Sequence, residues 1–142
     1  MRRLAAWLAL LLLPLATMPA RAEVIAMSVA LSAESEVPKV TSAGAGTAAV
    51  TFNTETRELS WDVQVRGLTG PVTAAHFHGP ATAADNGPVL VPIAKAGDAL
   101  PFKGSAILTP AQAADFLAGR WYVNVHTASF PAGELRGQVI KK

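Results

Sequence analysis

Leu59-Ser60-Trp61-Asp62-Val63-Gln64-Val65-Arg66 alternates apolar and polar residues without a break. A period of two belongs to a half-buried β-strand, whose successive side chains leave opposite faces. Just upstream, Ala48, Val50 and Phe52 repeat the pattern, and Asn53-Thr54-Glu55-Thr56 between the runs is polar and turn-forming. Residues 48–66 therefore read as a β-hairpin with one apolar face. Toward the N-terminus, Ile25, Met27, Val29 and Leu31 alternate with Ala26, Ser28 and Ala30 as an earlier strand. Gly44-Ala45-Gly46, after Thr41 and Ser42, reads as a loop or bulge; no strand-to-helix passage surrounds it, so it is not a phosphate cradle.

Toward the C-terminus, Val72 to His78 alternates and ends at Gly79-Pro80, and Ala81 to Pro88 is a loop with an Asp85-Asn86-Gly87 turn. Val89 to Ile93 is a short strand whose Pro92 suits a sheet edge, and Phe102 to Leu108 adds another. One helix is well signalled: Thr109 as N-cap, Pro110 at the first helical position, Gln112 completing a capping box, and Gly119 closing the end. Its expected apolar face is Ala113, Phe116 and Leu117. Trp121 to His126 and Glu134 to Ile140 are the last strands, joined through Ser129, Pro131 and Gly133. Seven or eight short strands with one short helix predict an all-β chain, a β-sandwich of immunoglobulin-like or Greek-key type. There is no internal repeat, low-complexity tract or heptad pattern.

The chain has 142 residues. Met1-Arg2-Arg3, the apolar run Leu4 to Leu15, and Ala20-Arg21-Ala22 compose a secretory leader with a small-x-small cleavage signal. Residues 1–22 are thus the expected signal peptide and 23–142 one domain, in the periplasm or secreted. The apolar run falls short of the roughly 18 residues of a spanning helix, so the mature chain has no transmembrane span. An uncleaved anchor and a twin-arginine route are the lesser alternatives. Removing Arg2, Arg3 and Arg21 takes 12 basic residues to 9 against 10 acidic, a net charge of −1. The basic excess belongs to the leader, and no basic tract remains for nucleic acid or an anionic membrane. With no cysteine, disulfides, iron–sulfur clusters and thiolate metal sites are excluded. Any metal must take nitrogen and oxygen ligands.

All three histidines fall in two strand segments, Ala75-His76-Phe77-His78-Gly79 and Trp121-Tyr122-Val123-Asn124-Val125-His126-Thr127. Strand alternation puts His76 and His78 on one face, with Cα atoms about 6.6 Å apart, and Phe77 on the other. In the later strand Trp121, Val123 and Val125 mark the core side, while Tyr122, Asn124 and His126 share the opposite face. If the two strands are neighbours, His126 completes a three-imidazole site opposite the core. Three imidazoles with an open position suit copper, zinc or iron, without distinguishing them; calcium and magnesium want clustered oxygens. The alternative is solvated or hydrogen-bonded strand histidines. Tyr122 and Asn124 are candidate supporting donors or plain solvent-facing residues. Glu134 and Arg136, two apart, are further candidates or a surface ion pair.

Other chemistries have less support. Ser105 and Ser129 lack a nucleophile elbow, and no acid lies in the histidine segments to orient a base. Glu34 and Glu36 beside Pro38 look like solvated surface rather than a glycosidase pair. Trp61 and Trp121 lie in phase with core positions, as anchors rather than sugar platforms. A hydrolytic zinc site would need a carboxylate base, and Glu134 is the only candidate in the motifs.

Ala75-His76-Phe77-His78-Gly79-Pro80-Ala81, Trp121 to Thr127, and Phe130-Pro131-Ala132-Gly133-Glu134-Leu135-Arg136-Gly137-Gln138 together resemble the chordin-type (CHRD) domain. Leu31 to Pro38 resembles that family's opening. The resemblance covers essentially the whole mature chain. It implies an extracytoplasmic immunoglobulin-like β-barrel or sandwich and no settled activity. It also implies that His76, His78, His126 and Glu134 occupy positions for which metal sites have been suggested. A looser similarity, in chemistry only, is to copper-zinc superoxide dismutases, which place a His-x-His pair and a distant histidine on a Greek-key sandwich; their further histidines, zinc-loop aspartate and cysteines are missing here. The expected function is an exported protein binding one transition-metal ion through His76, His78 and His126, with superoxide or a related small oxidant as the reactant, an oxidoreductase of superoxide dismutase type. The alternative is a non-catalytic binding or adhesion module that holds a protein or cell-surface partner, chiefly with loops Gly79 to Pro88 and Thr127 to Gly133. Oligomeric state is left open.

Overall fold

The computed structural model describes residues 22–141; the leader through Arg21 lies outside the described residues. Eight strands follow the alternating segments: β1 (Val24–Ser32), β2 (Ala45–Asn53), β3 (Glu58–Arg66), β4 (Val72–His78), β5 (Val89–Lys95), β6 (Phe102–Ile107), β7 (Trp121–Thr127) and β8 (Leu135–Val139). One α-helix, α1 (Pro110–Leu117), separates β6 from β7, and a 3-10 turn (Ala33–Ser35) follows β1. All pairings are antiparallel, in one sheet of order β5-β4-β7-β8-β1-β2-β3-β6. The all-β fold with one short helix is as expected. Its end strands β5 and β6 approach each other, so the sheet nearly closes into a barrel.

The seam between β1 and β8 is joined at a single pair, Ser32 with Arg136. Gly137 makes this approach possible, since a Cβ there would meet the Ala30 carbonyl and the Val29 and Leu31 side chains. Four strands lie to each side of the seam, and their apolar faces meet. Val50, Phe52, Leu59 and Val63 from the hairpin are buried against Phe77, Trp121, Val123 and Val125. Trp61 meets Phe77 edge-on at 5.4 Å, and Phe116 of α1 reaches Phe52 at 5.2 Å and Trp121 at 5.6 Å between centroids. Both tryptophans are core anchors, as their phase predicts.

The hairpin turns as expected: Asn53 Oδ1 accepts from the Glu55 and Thr56 amides at 2.9 and 3.0 Å. Helix α1 carries the full capping box, with Gln112 N donating to Thr109 Oγ1 and Thr109 N to Gln112 Oε1. β5, with Pro92, is an edge strand. Three local expectations fail. Ala45 and Gly46 belong to β2, because β1 and β3 both offer ladder partners there, and pairing on two sides overrides the weak strand preference of glycine. Leu117, the last residue of α1, is 49% exposed, and of the expected face only Ala113 and Phe116 are buried. β8 begins at Leu135, one residue after Glu134. Among the described residues, no helix is long and apolar enough to cross a membrane.

Candidate metal centre

β4 and β7 are hydrogen-bonded neighbours, the condition the histidine reading required. His76 stands opposite Asn124, His78 opposite Tyr122, and His126 opposite Ala74, diagonal to His76. Diagonal neighbours on one sheet face are within reach of aromatic side chains. The β4–β5 ladder shifts register between Ala75 and His76 and again between Phe77 and His78, and the partner of His76 is Pro92, which has no amide hydrogen. Such bulges bend a strand and re-aim its side chains.

The three rings converge, and one nitrogen from each lies within 4.8 Å of the others. Centroids are 5.5 Å apart for His76–His78, 5.2 Å for His76–His126 and 6.0 Å for His78–His126. His76 Nδ1 is 3.3 Å from His126 Nε2. Two nitrogens on one tetrahedral ion stand about 3.3 Å apart, so this pair is already at ligand spacing and the third has at most about 1.5 Å to close.

Backbone carbonyls orient two of the rings. His78 Nδ1 donates to Gly87 O at 2.9 Å, and His126 Nδ1 donates to Pro131 O at 3.0 Å. A carbonyl only accepts, so each neutral ring carries its proton on Nδ1 and presents a lone pair at Nε2. His78 Nε2 is buried and has no hydrogen-bond partner among the described residues. Burial holds all three imidazoles below their usual value of 6.5; the Gly87 and Pro131 carbonyls oppose this in part at His78 and His126, and nearby charges add to it, His78 acting on His76, Arg136 on His78, and His76 and His78 on His126. The site is therefore a set of neutral nitrogen donors. Three close histidines of this kind can hold a metal ion, and the orphaned lone pair fits one.

The outer face of the sheet, on which the three histidines lie, is not open to solvent. His78 and His126 are only 8% and 9% exposed, whereas His76 is half-buried and borders a groove with Ala74, Pro92, Ile93, Ala94, Lys95 and Asp98. Every residue of β7 is buried, so the solvent-facing alternative for Tyr122 and Asn124 is overturned. The chain from 79 to 88, the loop from 128 to 134 and the segment after β1 fold over this face, which strand periodicity does not register.

The supporting residues divide. Tyr122 stacks on His78 at 5.0 Å and 11° between planes, and its hydroxyl accepts from Gly87 N at 3.1 Å. Arg136 Cζ lies 3.6 Å from the Tyr122 ring centroid. Asn124 Nδ2 donates to Glu36 Oε1 at 2.6 Å and to Leu135 O at 3.1 Å. Glu36 is buried, which corrects its reading as solvated surface; Glu34 is exposed. Gly133, at φ 137°, closes over this pair, since a Cβ there would lie 2.5 Å from both Glu36 Oε1 and Asn124 Nδ2. The surface ion pair of Glu134 and Arg136 does not form, and both side chains are buried. Glu134 accepts from Ser42 Oγ (2.6 Å), Thr69 N (3.0 Å), Thr69 Oγ1 (2.8 Å) and Thr127 Oγ1 (2.6 Å), and none of these bonds goes to a histidine. The Gly87 and Pro131 carbonyls were missed, because a backbone acceptor leaves no mark in residue identity.

Searches of the curated proteins and of the solved structures find no match. The family model of the CHRD domain matches residues 27–139, from within β1 to the last residue of β8, and so takes in all three histidines. The chain belongs to the CHRD domain family.

Proposed function

We propose that this CHRD domain binds one transition-metal ion through His76, His78 and His126. One observation carries the reading: His78 Nε2 is a buried lone pair without a partner, held toward two further imidazoles by a Gly87 carbonyl that takes up the proton on its other nitrogen. An unpaired buried polar atom costs about 1–3 kcal/mol, and a cation among the three rings relieves it. Imidazole donors suit copper, zinc or iron, and Irving–Williams affinity favours copper. We further propose that the chain is exported by its leader to the periplasm or medium, a reading supported by Met1-Arg2-Arg3, Leu4 to Leu15 and Ala20-Arg21-Ala22.

The reaction proposed for a redox-active ion is superoxide dismutation: two superoxide ions and two protons give dioxygen and hydrogen peroxide, one superoxide being oxidised and the other reduced. The ion would supply the one-electron exchange. The chain's own part is to hold three neutral donors and to bury two of them, leaving approach along the groove beside His76. That groove lies along the edge strand β5, with His76 in its lining. Hydrolysis has less support, because Glu134, the one carboxylate expected to serve as base, is bound to Ser42, Thr69 and Thr127.

The deciding experiment is elemental analysis of protein purified from its native compartment, with N-terminal sequencing to locate the leader cleavage. About one equivalent of metal in wild type, lost in the His76→Ala/His78→Ala/His126→Ala protein, supports the centre. Equal metal in both rejects it and leaves the non-catalytic binding module. For the redox step, metal-loaded wild type must speed superoxide decay beyond the same metal free in solution, and each single histidine variant must lose the effect.

A further inference from the structure

Arg136 is 1% exposed, and no carboxylate among the described residues forms an ion pair with it. A buried guanidinium is costly unless its donors are satisfied. Here they are satisfied mainly by one loop, with Gln138 Oε1 of the same strand a longer acceptor from Nη2 at 3.4 Å. Nη1 donates to Asn86 Oδ1 at 3.0 Å, and Nη2 to the carbonyls of Thr82 at 2.9 Å and Asp85 at 2.8 Å. The segment from 82 to 86 is thus wrapped about one cation. Its next residue is Gly87, whose carbonyl accepts from His78 Nδ1 and whose amide donates to Tyr122 Oη. Strand order places β7 between β4 and β8, so Tyr122 lies between His78 and Arg136, its ring stacked on the imidazole and lying against the guanidinium.

The network has a chemical consequence for one ring. A neutral imidazole free in water populates both tautomers, and the hydrogen bond made by one nitrogen decides which of them a protein keeps. Only the Nδ1–H form leaves the His78 Nε2 lone pair for the centre. Stacking on Tyr122 sets the plane of the ring but does not choose between the tautomers. The Gly87 carbonyl does, and its place depends on the loop that Arg136 holds. His126 is oriented by an independent acceptor, Pro131 O, on the other loop.

We propose that Arg136 is a positioning residue: by docking the 82–86 loop through Asn86, Thr82 and Asp85, it sets the Gly87 carbonyl that fixes the tautomer of His78. It touches no histidine and acts through the loop. A second consequence, which rests on the metal-centre reading, is that loop docking governs how long the ion is retained.

The test is long-range nitrogen–proton NMR of the metal-free protein at alkaline pH, where free imidazole is neutral. The variants are Arg136→Gln and Asn86→Ala, the latter at an exposed position, so that it decides the matter should the buried substitution not fold. In wild type both His78 and His126 are expected to show protonated Nδ1 and bare Nε2. In the variants His78 becomes a mixture of tautomers while His126 keeps its pattern. Wild-type His78 protonated on Nε2, an unchanged His78 in the folded variants, or an equal change at His126 would each overturn the proposal. With zinc alone as the probe, affinity should fall about 10- to 100-fold in the variants, the usual effect of losing an orienting partner. If wild type binds no zinc but the His78 tautomer still responds, zinc is struck from the metal reading and the positioning of His78 stands.

Discussion

Replacing Glu36 with glutamine is expected to stabilise the protein at neutral and alkaline pH and to leave it unchanged in acid. Glu36 is 5% exposed and accepts from Asn124 Nδ2 at 2.6 Å. Burial raises its carboxyl from 4.5 to about 7; the Asn124 hydrogen bond and the Arg136 charge offset only part of that rise. The folded state thus binds the proton more tightly than the unfolded state. Stability from this group is fully present below pH 4.5 and is lost as pH rises through about 7. Each pH unit between those two values is worth about 1.4 kcal/mol, so the loss reaches at most about 3.5 kcal/mol on the alkaline plateau. Glutamine keeps an acceptor oxygen for Asn124 and cannot ionise. Urea unfolding followed by tryptophan fluorescence, at about pH 4 and about pH 8, measures the difference between variant and wild type. Groups common to both proteins, the three histidines included, cancel in that difference. A stability gain from Glu36→Gln of equal size at both pH values, or a loss at the alkaline one, would refute the account of a carboxyl strained by burial.

Glu134→Ala should cost about 3–5 kcal/mol, since it leaves the Thr69 amide and the Ser42, Thr69 and Thr127 hydroxyls without their common acceptor; chemical denaturation measures it. Phe77→Ala, which empties the position between Trp61 and Trp121, should cost about 3–5 kcal/mol in the same assay. The three histidines titrate below 6.5 in the folded state, so the stability they contribute is present above 6.5 and is lost as pH falls through their lowered values. Zinc affinity, measured by competition titration, should for the same reason stay nearly level as pH falls to about 6.5 and decline only below it.

Strand alternation by itself determined the strands, the core anchors Trp61, Phe77 and Trp121, and the side away from the core for His76, His78 and His126, because a period of two assigns a face to every residue before any partner is known. The capping box at Thr109 and Gln112 was equally local, written in four consecutive residues. Which strands would be neighbours was not local. The pairing of β4 with β7, which joins residues some fifty positions apart, is decided by how the sheet closes around its core. The cover over the outer face was decided there too: Tyr122, Asn124, Glu36, Glu134 and Arg136 look like surface residues along the chain and are buried in the fold. Their partners are the Gly87 amide, the Leu135, Thr82 and Asp85 carbonyls and hydroxyls on distant loops. A backbone acceptor is the same atom in every residue, so only the closed tertiary structure distinguishes the carbonyls that hold a histidine from all the others.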